Sequence, residues 1–287
     1  MATESTEKQD LSYIRPAVLD FDDVAKAVPK LKGHRKLVER VFRWLSIDKV
    51  NKLHTDNYHT PGIPFTDGLL HDLDITLRVD GEENLSLFPE GAFITVSNHP
   101  FGALDGISLI NLVGHHRNDF KVMVNMILNQ ITAMRQNFIA VDALASSDPK
   151  KKAVSMQGIK QAIMHVRRGH PIGFFPAGAV SKMNLRGHLE DRQWQTSIIR
   201  LIMQLGVPVI PIYFHGRNSR WFNFLGLISW KLRTMRLPAE VFRRKHSTIH
   251  ISVGSPLMPD EIKAHSESVE MLGEFLKKTT YSLSSCK

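Results

Sequence analysis

The chain of 287 residues is 43% hydrophobic, long enough to bury a large core, and its length favours one domain carrying an extension. Its formal net charge of +9 attracts anions, but no helix-turn-helix, aromatic RNA-binding motif or Cys/His finger spacing occurs, so nucleic acid is not an expected partner. The single cysteine, Cys286, excludes an internal disulfide, fits a reducing compartment and makes thiol chemistry a poor candidate mechanism.

The opening MATESTEKQD is polar and lacks the apolar stretch of a secretory signal, so the expected location is cytoplasmic. Between residues 31 and 53, Leu37, Val38, Val41, Phe42 and Leu45 recur at helical spacing, with Lys36, Arg40, Arg43 and Lys49 between them. Such a basic amphipathic region suits a membrane surface, or a lid packed on the core with a solvated face. Residues 1–74 are grouped as this N-terminal helical region.

A turn-rich stretch at 60–68 precedes a change of pattern. Short apolar or β-branched runs at 75–79, 93–96, 120–124, 138–141, 172–175, 207–214 and 248–253 alternate with helical patterns at 105–115, 150–168, 194–205 and 260–281. That alternation predicts an α/β fold with a mostly parallel central sheet flanked by helices over residues 75–287.

Two blocks carry chemistry. In the first, a buried-looking strand from Phe93 runs into Asn98-His99-Pro100. Proline disfavours the α region for the residue before it, so His99 is expected in the turn at the strand's C-terminal end, where open α/β sheets place their ligands. Asp105 lies six residues further on, and a turn through Gly102 can fold it back onto the imidazole. A carboxylate on one ring nitrogen fixes the tautomer and leaves the other to take a proton from an attacking hydroxyl or amine. The competing reading is an ordinary strand-to-helix turn with an acidic residue at the helix start.

In the second block, Gly173 to Lys182, an apolar strand breaks at Pro176 into a turn of small residues. Gly178 lets backbone N–H groups point together at an anion, and Lys182 and Arg186 add charge beside it. Alone, such a turn is also a common loop.

As an ordered set, these blocks resemble the glycerolipid acyltransferase superfamily, most closely its bacterial branch of haemolysin-like and ornithine or glycine lipid acyltransferases. The resemblance spans roughly residues 77–256. It runs through Asn98-His99-Pro100, Gly102 to Gly106, Phe175-Pro176-Ala177-Gly178 with Val180-Ser181, Trp194, Val207 to Pro211, and Gly216-Arg217-Asn218-Ser219. It implies His99 as catalytic base with Asp105 as its partner. Asn98, Pro176, Ala177, Gly178, Ser181, Lys182 and Arg217 are then expected to bind substrate.

Three departures stand out. Five residues rather than the usual four separate His99 from Asp105, Ala177 replaces a glutamate, and the stretch Asn137 to Asp142 lacks the arginine common in the superfamily's second block. They favour an amino-acid-headed acceptor over a glycerol phosphate.

From Arg220 to Arg236, bulky apolar residues (Trp221, Phe222, Phe224, Leu225, Leu227, Ile228, Trp230) mix with Lys231, Arg233 and Arg236. This suits a lipid interface or a core helix with a basic exposed face. The apolar run is too short for the roughly 20 residues of a membrane span.

The 14 histidines include no His-Glu-x-x-His, and no Gly-x-Ser-x-Gly elbow or nucleotide-binding glycine pattern occurs. No metal and no bound cofactor are expected, acyl-CoA or acyl carrier protein (acyl-ACP) being the co-substrate. The leading expectation is transfer of a fatty acyl group to the hydroxyl of a lysolipid, by a protein peripheral on the anionic inner face of the cell membrane. The alternatives are an N-acyltransferase making a lyso-amino-acid lipid and a non-catalytic, haemolysin-like membrane binder.

Overall fold

The computed structural model describes residues 11–142, 149–183 and 189–285, so Arg186 and Cys286 lie outside the described residues. The strands are β1 (Ile75–Asp80), β2 (Ile94–Ser97), β3 (Lys121–Asn125), β4 (Phe138–Val141), β5 (Ile172–Phe174), β6 (Lys182–Met183), β7 (Leu189–Glu190), β8 (Val209–Phe214) and β9 (Ser247–Val253). Seven of them form one sheet in the order β1-β9-β8-β2-β5-β3-β4, and β6 and β7 make a separate hairpin. Neighbours from β8 through β4 are parallel, β9 runs antiparallel to β8, and β1 is parallel to β9. The expected α/β class with a mostly parallel sheet is what the chain adopts.

Side chains alternate across a strand, so each strand feeds both faces of the sheet. On one face Phe93, Val122, Ile212, Phe214 and Ile251 pack with Leu109, Ile110 and Val113 of the helix Ala103–Gly114. On the other, Ile94, Val96, Ile172, Phe174 and Val209 pack with Ala162, Ile199, Ile202, Leu272 and Leu276 from three further helices. The central strand β2 is buried along its whole length, and it reads in the sequence as a short β-branched and apolar run leading into Asn98 and His99.

Three helical boundaries differ from expectation. The region 31–53 is two helices, Arg35–Leu45 and Ile47–Asn57, divided at Ser46, whose φ of 63° is left-handed. The stretch 60–68 contains the start of a third, Ile63–Asp72, because Pro64 falls in the first turn, where its missing N–H is harmless. This helix buries Phe65, Leu69 and Leu70 in the first core, so residues before 75 contribute to the interior of the sheet region. The segment 260–281 splits into Pro259–Ala264 and Val269–Ser282, the second restarted by Ser268, whose hydroxyl accepts the Met271 N–H at 3.1 Å. Among the described residues no helix is long and apolar enough to cross a membrane.

At the sheet end remote from His99, Asp119 Oδ2 accepts from Arg117 Nη2 at 2.9 Å and lies 2.6 Å from His170 Nδ1. His165 Nε2 lies 3.1 Å from the Pro171 carbonyl at the entrance to β5. Burial, helped by the Lys121 charge, pushes the His165 imidazole down to about 4 from 6.5. The unfolded chain therefore takes up a proton near pH 6.5 that the folded chain refuses until about pH 4. The stability gained from the neutral ring is complete above that window and is lost as pH falls through it. Discounted for the ring's partial exposure, the loss is roughly 1–2 kcal/mol. Urea unfolding at pH 7 and pH 5 should show a smaller acid loss for His165→Gln than for the native chain; an equal loss in both would refute this assignment.

Candidate active site

Beyond β2, Asn98 is buried, and its amide bonds both ways to the backbone of one residue of β8. Nδ2 donates to the Phe214 carbonyl at 2.9 Å, and Oδ1 accepts the Phe214 N–H at 2.7 Å. The clamp joins the C-terminal ends of adjacent parallel strands and fixes where the next residue, His99, leaves the sheet. The His99 side chain is 19% exposed, and its ring packs on Phe175 at a tilt of 30° with centroids 4.2 Å apart.

Gly102, at φ 84°, turns the chain into the helix Ala103–Gly114. Val180 and Leu237 close on it so tightly that a Cβ there would come within 3.3 and 2.9 Å of them. The turn brings Asp105, in the first helical turn and fully buried, back against the imidazole. Its Oδ2 lies 2.9 Å from His99 Nδ1 and also accepts the N–H groups of Phe101 at 2.8 Å and Gly102 at 2.9 Å. Burial pushes the Asp105 carboxyl up, and His99 with the two backbone N–H groups pulls it back toward the ionised form. With Nδ1 turned to the carboxylate, Nε2 is the ring nitrogen left able to exchange a proton with another group.

The second block forms the wall beside this pair. Phe175 supplies the ring under His99, and its carbonyl accepts the Gly178 N–H at 2.9 Å. Gly178 has φ 62°, and a Cβ would fall 1.7 Å from Gln195 Nε2, so any other residue would strain the backbone and displace the Gln195 amide. Pro176 and Ala177 are buried, Ala177 within the second core, while Gly178 is exposed. Ser181 donates its backbone N–H to the His99 carbonyl at 2.8 Å, tying the two blocks together. Lys182 is exposed in the hairpin opposite Glu190, and Arg217 is exposed after Gly216.

Two positioning residues gave no readable signal. Asp191, 4% exposed, accepts the Ser181 hydroxyl at 2.5 Å, the His99 N–H at 3.4 Å and the Trp194 indole N–H at 3.2 Å. A lone aspartate in a loop has no spacing to mark it, although the Trp194 it holds belongs to the motif set. Arg233, expected as part of a basic interfacial face, is instead buried, its guanidinium over the Phe222 ring. From there Nη2 donates to the carbonyls of Ser181 at 2.5 Å and Val180 at 3.2 Å.

One further cluster, Asp80, His215 and His250, has the composition of a metal site. The two imidazoles stack at 4.1 Å and 12°, which sets their in-plane lone pairs side by side instead of converging. His250 Nε2 bonds to Asp80, and His215 Nε2 lies 2.8 Å from Ser252 Oγ. The cluster braces β1, β9 and the end of β8.

With this geometry in place, the comparisons with known proteins are decisive. A family model described as acyltransferase matches residues 24–286. The chain belongs to this acyltransferase family. It is similar to a lyso-glycine lipid O-acyltransferase of Bacteroides thetaiotaomicron, 28% identical over 246 residues that cover 82% of this chain and 85% of the relative. A lyso-glycine lipid O-acyltransferase of Phocaeicola vulgatus is 26% identical, covering 82% and 83%. Among solved structures, the 1-acyl-sn-glycerophosphate acyltransferase PlsC of Thermotoga maritima superposes at a TM-score of 0.49 with 14% identity, covering 87% of this chain and 89% of that one. The protein is thus a lipid acyltransferase, and the resemblance noted in its sequence holds at the level of the family.

Replacing Arg233 with methionine should leave the Val180 and Ser181 carbonyls without their donor and lower unfolding stability by about 1–3 kcal/mol. Denaturant titration measures this; an unchanged midpoint would mean that the loop does not depend on the guanidinium.

Proposed function

We propose that this acyltransferase moves a fatty acyl group from acyl-CoA or acyl-ACP to the hydroxyl of a monoacylated amino-acid lipid, with His99 as general base. The observation that carries the reading is the His99–Asp105 pair, with Nδ1 held 2.9 Å from a buried carboxylate and Nε2 left over. As the acceptor oxygen attacks the thioester carbonyl, its proton passes to His99 Nε2. The tetrahedral oxyanion then collapses, the C–S bond breaks, and the imidazolium returns the proton to the departing thiolate. Asp105 steadies the charged ring throughout. Gly178 and Lys182 of the second block, with Arg217 after Gly216, are the surface groups for substrate, while Pro176, Ala177 and Ser181 shape the block from within and Asn98 fixes the strand end beside it.

The relatives acylate oxygen on a lyso-glycine lipid, and this supports ester over amide formation here. Glycine has no side-chain hydroxyl, so the oxygen that receives the acyl group in such an acceptor has to sit on its existing acyl chain.

The acceptor would arrive from a membrane. Leu37, Val41 and Trp44 project outward from the helix Arg35–Leu45, with exposed Arg35, Lys36, Arg40 and Arg43 on the same helix. Trp221, Phe224, Ile228 and Trp230 are exposed too, and Trp44 and Trp230 are 57% and 52% accessible. Arg236 joins the two regions, bonding the Trp44 carbonyl at 2.5 Å with its guanidinium 5.5 Å over the indole. Aromatic and aliphatic side chains interleaved with cations suit peripheral docking on an anionic surface, here the inner face of the cell membrane.

Purified protein with labelled donor and a panel of lysolipids tests both parts. His99→Ala should cut transfer by about 10²–10⁴-fold while vesicle binding persists; full activity of that variant would end the general-base reading. An amide as the only product would replace the O-acyl reading with N-acylation. Trp44→Asp combined with Trp230→Asp should weaken sedimentation with phosphatidylglycerol vesicles at least tenfold, and unchanged binding would remove the proposed membrane face.

A further inference from the structure

Arg244 follows the helix Leu237–Arg243 and is half-buried beside the catalytic turn. Its guanidinium lies 4.3 Å over the ring of Phe101, whose own N–H is bonded to Asp105 Oδ2. One terminal nitrogen donates to the Arg217 carbonyl, so the loop bearing the exposed Arg217 is anchored to the same guanidinium. Gly216 makes that approach possible: a Cβ there would stand 2.7 Å from the tip of the Phe101 ring.

What the guanidinium lacks is an acid. Among the described residues no carboxylate makes an ion pair with Arg244. The nearby Glu240 is occupied, accepting the Ser219 N–H at 2.8 Å and the Ser219 hydroxyl at 2.7 Å, and Asp105 is turned to His99. Both carboxylates attract the guanidinium from nearby, yet neither bonds it, and a half-buried cation with no bonded carboxylate is a feature that gathers where a ligand supplies one. A flat guanidinium fork matches one planar carboxylate through two parallel hydrogen bonds.

We propose that Arg244, with Arg217 at its rim, binds the head-group carboxylate of the acceptor and makes the enzyme selective for amino-acid-headed lysolipids. This rests on the amino-acid-lipid reading given under Proposed function. The carboxylate end would seat against Arg244 over Phe101 while the acyl-chain hydroxyl reaches His99. Selectivity then comes from charge pairing at one end of the acceptor and chemistry at the other.

The test compares three acceptors, an N-(hydroxyacyl)glycine, its methyl ester and a lysophosphatidic acid, on the full chain, Arg244→Gln and Arg244→Lys. The native protein should show a KM for the acid about tenfold or more below that for the ester. Arg244→Gln should bring that ratio close to one by raising the KM for the acid, and Arg244→Lys should restore part of it. A ratio within one preparation is insensitive to how much of a variant is folded. Equal use of acid and ester by the native protein, or a ratio untouched in Arg244→Gln, would overturn the assignment and leave the acylation reading standing. Arg244-dependent preference for lysophosphatidic acid over the glycine acid would make the bound group a phosphate and overturn it as well. Acylation of no amino-acid lipid at all would remove the proposed function, and this inference with it.

Discussion

A single oxygen organises the turn between His99 and Asp105. Asp105 Oδ2 gathers the Phe101 and Gly102 N–H groups and faces His99 Nδ1, all within 2.9 Å. The Gly102 N–H belongs to the helix N-cap and the Phe101 N–H to the residue before it, so one carboxylate oxygen both caps the helix start and faces the His99 imidazole. The side chain is wholly buried, which pushes its carboxyl up, and the donors gathered at Oδ2 favour the ionised form against that penalty. The imidazole tautomer, the helix entry and the direction of Nε2 are consequences of that one saturated acceptor.

Around this centre, ionic side chains hold main chain. Asp191 takes the Ser181 hydroxyl and the His99 N–H, and Arg233 takes the carbonyls of Val180 and Ser181, so the second block is gripped from both sides. A loop built of Pro176, Ala177 and Gly178 has few side-chain contacts of its own with which to keep a shape. Charged groups in low dielectric supply that rigidity, since breaking such a bond leaves a buried charge or dipole unpaired. The basic composition, which invites a reading as pure surface charge, therefore includes arginines with internal work.

Much of this was legible in the sequence, for identifiable reasons. The strands announced themselves because a buried parallel sheet needs runs such as Ile94 to Ser97, and His99 was placed by the constraint Pro100 exerts on its neighbour. The approach of Asp105 followed from a glycine able to turn the chain. Asp191 and Arg233 were not legible, because their partners are carbonyls, hydroxyls and N–H groups far away along the chain, and backbone acceptors leave no trace in residue identity. The stretch 60–68 misled for a local reason: Pro64 and Gly62 read as turn formers, yet the same two residues are what a helix start accepts.

The clamp of Asn98 on Phe214 bears on how the protein is made. Its two partners stand 116 positions apart, and the second strand must be synthesised and paired before the first can be locked. His99 and Asp105 are near neighbours in sequence, but their strand end floats until β8 arrives. A nascent chain thus carries His99 and Asp105 long before the sheet can hold them in place, and the geometry of the site is completed late in synthesis, once most of the molecule exists.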